Sequence, residues 1–309
     1  MEDITDASFR TICKEYGADV LVTEFVSSEG LVYDAEKSRE KMKFGEEERP
    51  IGIQIFGPNI ESMVIATKKA ALYNPDFIDI NFGCPVRKVV NKGGGAALLN
   101  DLPKMVKMTA AVVQATELPV TVKTRLGWNE QSKNIVDIAE QLQDQGIRAI
   151  SIHGRTRSQL YGGQADWTLI GAVKNNPRMK IPVIGNGDIT SALIAKEMKD
   201  RYGVDGLMIG RGSIGNPWIF REIKAYFEKG ELIPPPSLEE RLRTARLHIE
   251  RARLIKGDMR ANFELRKFYS GYFRGIHDVK KYRMKMVMAK SLEEVEEILM
   301  EVGGLKTED

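Results

Sequence analysis

Reactive or charged side chains recur in this sequence directly after short apolar segments. The segment Asn81-Phe82-Gly83-Cys84-Pro85 brings a cysteine to the end of such a segment, on a loop that continues with Arg87, Lys88 and Gly93-Gly94-Gly95. Glycine permits the bent or mobile backbone of a working loop, and the position suits a reactive thiol. The alternative is an inert cysteine packed in the core, which is the commoner role of a cysteine after an apolar segment.

Two cations stand two residues apart in the apolar segment around Val122. Lys123 and Arg125 point the same way if this segment is a strand, because side chains alternate between the two faces of a sheet. A buried cation needs a partner. An anionic ligand is the simplest partner, and a structural ion pair with Asp79 or Glu24 is the alternative.

The next apolar segment ends in a histidine, His153, which Arg155 and Arg157 follow. A lone histidine is usually a core residue that bonds to the backbone. Because Lys123 holds the equivalent place one strand earlier, we expect Lys123 and His153 to contact a shared ligand instead.

Glycine-rich turns end the last two apolar segments. These turns are Asn186-Gly187-Asp188 and Gly210-Arg211-Gly212. Glycine lets backbone N–H groups approach phosphate oxygens, and Arg211 can add charge-assisted hydrogen bonds. In a β/α barrel the last two strands commonly build a phosphate site. Ordinary turn chemistry is the alternative for either segment taken alone.

An amide completes this set of polar residues. Gln54 lies near the end of an early apolar segment, where it can satisfy the donor and acceptor atoms of a planar heterocycle. A phosphate site, Lys123, His153 and this amide together describe a bound mononucleotide, and FMN fits them best. A cation near the N1 and O2 atoms of the flavin would stabilise its anionic reduced form.

The segments that carry these residues are predicted to be parallel strands separated by helices. Most are continuous apolar runs, which are typical of parallel strands covered on both faces. The first helix is predicted from Ser8 to Tyr16, with Asp6 as its N-cap and Gly17 at its end. The seven predicted strands are residues 20–26, 51–57, 77–83, 120–125, 149–153, 183–186 and 206–210.

This alternation predicts right-handed β/α units, and a (β/α)8 TIM barrel is favoured over a doubly wound open sheet. The barrel is favoured because polar, glycine-rich chemistry follows nearly every strand, and barrel enzymes place their sites at the carboxyl ends of the strands. A barrel needs eight strands, whereas seven are predicted and none precedes Ser8. We therefore expect the chain to begin just after the first strand of its barrel.

A second, helical domain is predicted after the barrel. The barrel occupies residues 1–233, and Pro234-Pro235-Pro236 forms a stiff linker at the start of the helical domain, residues 234–309. Helices are predicted at 238–256, 262–274 and 291–302. One helical face carries Leu242, Ala245, Ile249 and Ala252, which predicts a small bundle.

Charge is unevenly distributed in this second domain. Residues 237–290 carry 15 Lys and Arg against 6 Asp and Glu, whereas residues 291–309 carry 1 against 7. A basic helical face suits a phosphate backbone. A solvated helix surface is the alternative. The net charge of the whole chain, +3, indicates little about partners.

Composition excludes several classes of protein. The two cysteines, Cys13 and Cys84, are too few for a disulfide framework and form no CxxC pair for zinc, so no metal site is expected. Their small number predicts a reducing, cytoplasmic compartment. No segment reaches the roughly 18 apolar residues of a membrane span, so no contact with a membrane is expected. We expect a monomer.

Taken in order, these motifs resemble those of the tRNA-dihydrouridine synthases, most closely the bacterial B-type branch. The resemblance covers nearly the whole chain, and the combination is far more specific than any single motif. The matching segments are Met1-Glu2-Asp3-Ile4-Thr5-Asp6, Gln54-Ile55-Phe56-Gly57, Asn81-Phe82-Gly83-Cys84-Pro85, Lys123-Thr124-Arg125-Leu126-Gly127-Trp128, His153-Gly154-Arg155-Thr156-Arg157, Asn186-Gly187-Asp188-Ile189 and Gly210-Arg211-Gly212.

The resemblance implies a flavoenzyme that uses NADPH to reduce uridines in tRNA to 5,6-dihydrouridine. It implies a hydride from reduced FMN to C6 of uracil, a proton from Cys84 to C5, and a tRNA-binding helical domain. Asn81 and Arg125 match positions near the target uracil, and Arg155 and Arg157 are predicted to contact the substrate as well. The FMN contacts that we expect are Met1, Gln54, Lys123, His153, Asn186, Gly187, Asp188, Gly210 and Arg211.

The chain departs from the family pattern at the first strand. In the family this strand usually ends in Ala-Pro-Met, and only Met1 of that motif is present here. Two other functions stay open. A flavin barrel that reduces a free pyrimidine or another small unsaturated substrate would not need the basic helices. A tRNA-binding protein without catalysis would not need Cys84, Lys123 and His153. A barrel without flavin, such as an aldolase, would purify colourless.

Overall fold

A computed structural model describes residues 1–276 and 279–304 of the chain. Residues 277, 278 and 305–309, which belong to the predicted helical domain, lie outside the described residues. The predicted fold class is confirmed. A parallel, barrel-like sheet surrounded by helices is followed by a helical region towards the carboxyl end.

All strands of the sheet are parallel. They are β1 Leu21–Val22, β2 Val26–Ser27, β3 Ile51–Phe56, β4 Phe77–Asn81, β5 Val120–Arg125, β6 Ala149–His153, β7 Val183–Asn186 and β8 Gly206–Met208. Strands β1 and β2 both pair with β3, and from β3 onwards each strand pairs with the next one along the chain, as in a TIM barrel. Among the described residues, β8 does not pair with β1 or β2.

The strand predicted at residues 20–26 is interrupted by a bulge. Leu21 lies opposite Ile51 and Val26 lies opposite Ile55, so the first strand uses one residue more than β3 over the same distance. The hydroxyl of Thr23 accepts a hydrogen bond from the backbone N–H of Gln54 at 3.1 Å, in place of a ladder carbonyl. The prediction of one continuous strand was wrong for this reason.

Helices with one apolar face cover the sheet. The first of them begins after Asp6, whose carboxylate accepts the Phe9 N–H at 3.0 Å, so the predicted N-cap is confirmed. The helices of this part of the chain are α1 Ala7–Glu15, α2 Ser28–Val32, α3 Glu36–Glu40, α4 Ile60–Ala71, α5 Arg87–Val90, α6 Leu102–Gln114, α7 Ile135–Asp144, α8 Thr168–Lys174, α9 Ala192–Tyr202 and α10 Ile219–Lys229.

Four helices form the rest of the described chain. They are α11 Leu238–Lys256, α12 Asp258–Tyr272, α13 Lys280–Met288 and α14 Leu292–Gly303. The predicted apolar face of α11 is buried. Sequence reasoning missed α13, because its buried side chains are Tyr282 and Met286 and it has no broad apolar face. Within the described ranges, no helix combines the length and the apolar character that crossing a lipid bilayer requires.

Helix α1 belongs to the core of the helical region as much as to the barrel. The rings of Phe9 and Phe268 lie 4.8 Å apart, and Cys13 is buried in the same apolar cluster. A buried ion pair between Lys256 and Asp6 joins the end of α11 to the start of α1. The division into domains at residue 233 stays a prediction, since side chains from both parts share one core.

A buried ion pair fixes α1 to the segment before β3. Arg10 Nε donates to Glu48 Oε2 at 2.5 Å, and the two side chains are only 4% and 1% exposed. We expect Glu48→Ala to lower the free energy of unfolding by about 3–5 kcal/mol, because the guanidinium then lies buried without a counterion.

Urea denaturation measures this loss, and Glu46→Ala is the matched control. Glu46 also pairs with an arginine, Arg49, but is 82% exposed. Exposed pairs of this kind contribute at most about 1 kcal/mol. Equal losses of stability in the Glu48 and Glu46 variants would contradict the prediction.

Candidate active site

The carboxyl ends of the strands bring the predicted site residues to one end of the sheet, which we call the mouth. The strand register pairs Asn81 with Lys123, Arg125 with His153, and His153 with Asn186. Residues that lie far apart in the sequence therefore form two adjacent levels across four neighbouring strands. Asn81 and Lys123 form one level, and Arg125, His153 and Asn186 form the next one, two residues further along β5, so Lys123 lies opposite Ser151 and not opposite His153. This is the place where barrel enzymes build their sites.

A chain of amide hydrogen bonds fixes the loop that carries the reactive thiol. Gln54 Nε2 donates to Asp79 Oδ2 at 2.6 Å, and Asn81 Nδ2 donates to Gln54 Oε1 at 2.8 Å. Asn81 Oδ1 accepts the backbone N–H groups of Gly83 and Cys84 at 2.9 and 3.0 Å. Strands β3 and β4 thus hold the backbone of Cys84 in one position.

The Cys84 side chain is buried and protonated at neutral pH. Burial raises the pKa of the Cys84 thiol, and the nearby Arg125 and Lys123 oppose this effect without overcoming it. A general acid must carry its proton when the substrate arrives, so this direction suits that role. The loop packs tightly, because a Cβ at Gly95 would lie 2.9 Å from the Cys84 carbonyl oxygen.

Lys123 points to the mouth and forms no ion pair with the described residues of the chain. No ion pair joins it to Asp79 or Glu24 within the described part of the chain. Asp79 accepts a hydrogen bond from Thr121 at 2.5 Å, and Glu24 accepts the N–H of Asp3. Burial lowers the pKa of Lys123 to about 8. The geometry therefore favours an anionic ligand over the structural ion pair as the partner of this ammonium.

Arg125 joins two loops of the mouth. Its Nε donates to the Gly83 carbonyl at 2.8 Å, and its Nη1 donates to the carbonyls of Thr156 and Leu160 at 3.0 and 2.9 Å. Burial lowers the pKa of Arg125 to about 10, so it stays charged at neutral pH. Arg125 supports the loop of Cys84 and the loop after β6, and its contact with the substrate stays a prediction.

Arg155 is buried and forms its hydrogen bonds within the protein, whereas Arg211 is half exposed. Arg155 donates to both carboxylate oxygens of Asp188 at 2.8 and 2.7 Å, and Arg211 Nη2 donates to Asp188 Oδ1 at 3.0 Å. Partial burial opposes ionisation, but the hydrogen bonds from Arg155 hold the pKa of Asp188 below its usual value. Arg157 lies over the ring of Trp128 at 4.4 Å. Substrate contacts of Arg155 and Arg157 stay predictions.

Glycine is required by tight packing at the end of β7, and the side chain of Met1 lies beside the glycine at the end of β8. Gly187 has a φ of 135°, and a Cβ there would lie 2.6 Å from the Cβ of Ala165. A Cβ at Gly210 would lie 3.3 Å from Met1 Sδ, so Met1 also lies at this end of the sheet. The side chain of Asn186 is held in place by a hydrogen bond of 2.7 Å from its Nδ2 to the Met208 carbonyl in β8.

The imidazole of His153 is neutral. Burial lowers its pKa to about 2, and the positive charges of Lys123, Arg125, Arg155 and Arg211 act in the same direction. Its Nε2 lies 3.4 Å from Arg155 Nη1. His153 can therefore offer a neutral hydrogen-bonding group to a ligand, and it cannot act as a proton donor at neutral pH.

Comparison with known proteins identifies the family. The family model described as Dihydrouridine synthase (Dus) matches residues 1–303. The chain belongs to the dihydrouridine synthase family. It is 39% identical over 285 residues to tRNA-dihydrouridine synthase B of Pseudomonas putida, which covers 92% of this chain and 84% of that protein. It is 42% identical over 275 residues to tRNA-dihydrouridine synthase B of Escherichia coli K12, which covers 89% and 85%.

A solved structure shares the fold of this dihydrouridine synthase. Histamine dehydrogenase from Rhizobium sp. 4-9 matches 79% of the chain with a TM-score of 0.55 and 13% sequence identity. The chain spans 46% of that protein, and at this identity the likeness shows the fold alone. In residues 1–276 and 279–304, no three His, Cys, Asp or Glu side chains are grouped as metal ligands.

Sequence reasoning missed Tyr161 at the mouth of this dihydrouridine synthase, and it considered Glu24 only as an alternative ion-pair partner of Lys123. The ring of Tyr161 lies between Arg125 and Arg211, whose guanidinium carbons are 5.8 and 5.0 Å from its centre. The signal was an aromatic residue before Gly162-Gly163 on the loop after β6. Glu24 lies in the bulge of the first strand, and burial raises the pKa of its carboxyl group. No sequence pattern marked that bulge.

Proposed function

We propose that this dihydrouridine synthase reduces uridines in tRNA to 5,6-dihydrouridine, with FMN as its cofactor and NADPH as the reductant. One observation carries the proposal: the protonated thiol of Cys84, fixed through Asn81, lies at the same end of the sheet as the ammonium of Lys123, which has no counterion among residues 1–276 and 279–304. The two relatives named tRNA-dihydrouridine synthase B support tRNA as the substrate.

The residues of the mouth fit a flavin mononucleotide. The glycine-rich turns at Gly187 and Gly210 are of the kind whose backbone N–H groups bind phosphate, and the half-exposed guanidinium of Arg211 adds a charge-assisted donor. Lys123 would lie beside the ring system, where a cation stabilises negative charge. We assign the remaining contacts with FMN to Met1, Gln54, His153, Asn186 and Asp188. Asp188 contributes by accepting a hydrogen bond from Arg211, which orients the guanidinium.

The protein side of the reaction follows from these positions. The chemistry that FMN supplies when bound is a hydride for C6 of uracil, with NADPH as the source of the electrons. The Cys84 thiol donates its proton to C5, and solvent returns a proton to the thiolate afterwards. Lys123 and Arg125 stabilise the negative charge that develops on the uracil before C5 is protonated.

A uridine in folded RNA must leave its stack to reach the mouth. The basic helices α11, α12 and α13 are assigned to the tRNA backbone, where such contacts position the RNA without reading its sequence. This assignment rests on the excess of Lys and Arg over residues 237–290.

A comparison of substrates tests the proposal. We expect anaerobic NADPH oxidation to proceed with an unmodified tRNA transcript and to be at least about 100-fold slower with free uridine monophosphate, because binding energy from the rest of the tRNA is used to position the uracil. Equal rates with tRNA and the free nucleotide would favour the second candidate, a reductase of small unsaturated substrates.

The ammonium of Lys123 should make FMN binding depend on pH. Lys123 is charged below its pKa of about 8, and above that pH it must take up a proton before it can pair with the cofactor. We expect the affinity for FMN to be constant from pH 7 to 8 and to fall by up to about tenfold per pH unit above that range.

Fluorescence titration of FMN into flavin-free protein measures this profile. The matched variant is Lys123→Arg, because a guanidinium keeps its charge throughout this range. The arginine variant should give a flat profile. A flat profile in the parent protein would remove Lys123 from the cofactor site.

A further inference from the structure

An exposed aromatic side chain lies on the face of α12 that borders the mouth. Phe263 is 70% exposed, and Met259, one helical turn earlier, is 89% exposed. An exposed apolar residue is ordinary on a protein surface when it stands alone. Two large apolar side chains on one face of a basic helix form a patch that can receive a partner.

Cations surround this patch. The three other positions one turn away from Phe263 along the helix are Arg260, Arg266 and Lys267. The guanidinium carbon of Arg266 lies 5.6 Å from the ring centre of Phe263, and its Nη2 is held by the Ala289 carbonyl at 2.9 Å. The charge pattern therefore suits an anionic partner that also offers a flat apolar surface.

The patch is connected to the mouth through the first residues of the chain. Lys267 donates to the carbonyl oxygen of Asp3, and the N–H of Asp3 donates to the carboxylate of Glu24 in the bulge of the first strand. Met1 lies against Gly210 at the end of β8. A polymer whose uridine enters the mouth would therefore pass over this face of α12.

We propose that Phe263, together with Met259, is a stacking platform for an unpaired base of the tRNA substrate. Arg266 and Lys267 neutralise the phosphates beside that base, whereas Arg260 is already paired with Glu264 at 2.7 Å. The inference rests on the proposed function. When one uridine leaves its stack, a neighbouring base loses its stacking partner, and an aromatic ring can replace that partner whatever the identity of the base.

RNA is favoured over a second copy of this chain by charge. Association of two copies through this patch would bring the Arg266 and Lys267 side chains of both copies together, whereas RNA supplies phosphates to each of them. Removal of one stacking ring weakens binding of single-stranded nucleic acid by about 5- to 100-fold, the fold-change that corresponds to roughly 1–3 kcal/mol.

The test measures the Kd of a labelled, unmodified tRNA transcript for four forms of the full chain at one salt concentration. These are the parent protein, Phe263→Ala, Phe263→Trp and Leu72→Ala. Leu72 is 84% exposed, and it follows the end of α4, at the end of the barrel opposite the mouth. Alanine at position 263 should raise the Kd about 5- to 100-fold. Tryptophan should keep the Kd near the parent value and be quenched when tRNA binds, and Leu72→Ala should have no effect.

Two results would overturn the platform. The first is an unchanged Kd in Phe263→Ala, whether or not the variant also loses self-association, and the second is an equal loss of affinity in Phe263→Trp and Phe263→Ala. Dihydrouridine formation by the parent protein is measured in parallel. Binding of tRNA without reduction would count against the proposed function alone, because the Kd comparison between the four forms still decides the role of Phe263.

Discussion

Replacement of Cys84 by alanine is expected to reduce dihydrouridine formation by about 10²- to 10⁴-fold, which is the usual contribution of a general acid. Burial keeps the thiol protonated, and the amide chain through Asn81 holds its backbone in place. An alanine side chain removes the proton and leaves those backbone hydrogen bonds intact. The variant should therefore still bind FMN and tRNA, and single-turnover formation of dihydrouridine is the step that slows.

Cys13→Ala is the matched control for this experiment. It removes the other cysteine, which is buried in the apolar cluster between α1 and the helical region. We expect a modest loss of stability and an unchanged single-turnover rate in this variant. A Cys84→Ala protein that reduces tRNA at the parent rate would exclude the thiol as the proton donor.

Replacement of Asp188 by asparagine is expected to cost both stability and the cofactor. Asp188 is the counterion of Arg155, whose side chain is only 2% exposed, and it also holds Arg211. Without the carboxylate, a buried guanidinium lies uncompensated. This lowers the free energy of unfolding by about 2–3 kcal/mol, which is less than for a fully buried pair because Asp188 is 37% exposed. Arg211 loses its support at the proposed phosphate site, so we expect the variant to purify without yellow colour.

Thermal unfolding and flavin absorbance measure these two effects. The control is Asp200→Asn, because Asp200 forms an exposed pair with Lys196 at 2.5 Å on α9. We expect Tm to fall by about 3–5 °C in the Asp188 variant and to change little in the Asp200 variant. An Asp188→Asn protein that keeps the parent Tm and binds flavin would contradict the roles assigned to the ion pairs of Asp188 with Arg155 and Arg211.

Acid should weaken the ion pairs that Asp188 forms with Arg155 and Arg211. The pKa of Asp188 is lowered in the folded protein, so its contribution to stability is fully present above the ordinary pKa of an aspartate. That contribution is lost as the pH falls through the lowered folded-state pKa. The difference in Tm between the parent protein and Asp188→Asn should therefore shrink in strong acid.

The sequence predicts the part of the fold that rests on local periodicity. Continuous apolar strands, helices with one apolar face and polar turns at the strand ends are properties of neighbouring residues. The register of a parallel sheet then places Asn81 beside Lys123 and Arg125 beside His153. For this reason most residues of the mouth can be predicted from the sequence.

The parts that the sequence did not predict depend on contacts between distant residues. Arg155 finds its counterion at Asp188, 33 positions away, and α1 packs on helices more than 200 positions later. The bulge at Thr23 leaves an apolar run uninterrupted, so no residue type marks it. Helix α13 buries two side chains, which is too weak a pattern to be recognised.

The most direct test of the account is nucleoside mass spectrometry of an unmodified tRNA transcript after incubation with this protein, FMN and NADPH. The account predicts a uridine heavier by two hydrogen atoms at a defined position, and its absence when Cys84→Ala replaces the parent protein. Unchanged tRNA from a flavin-bound protein that reduces a free pyrimidine would contradict the account.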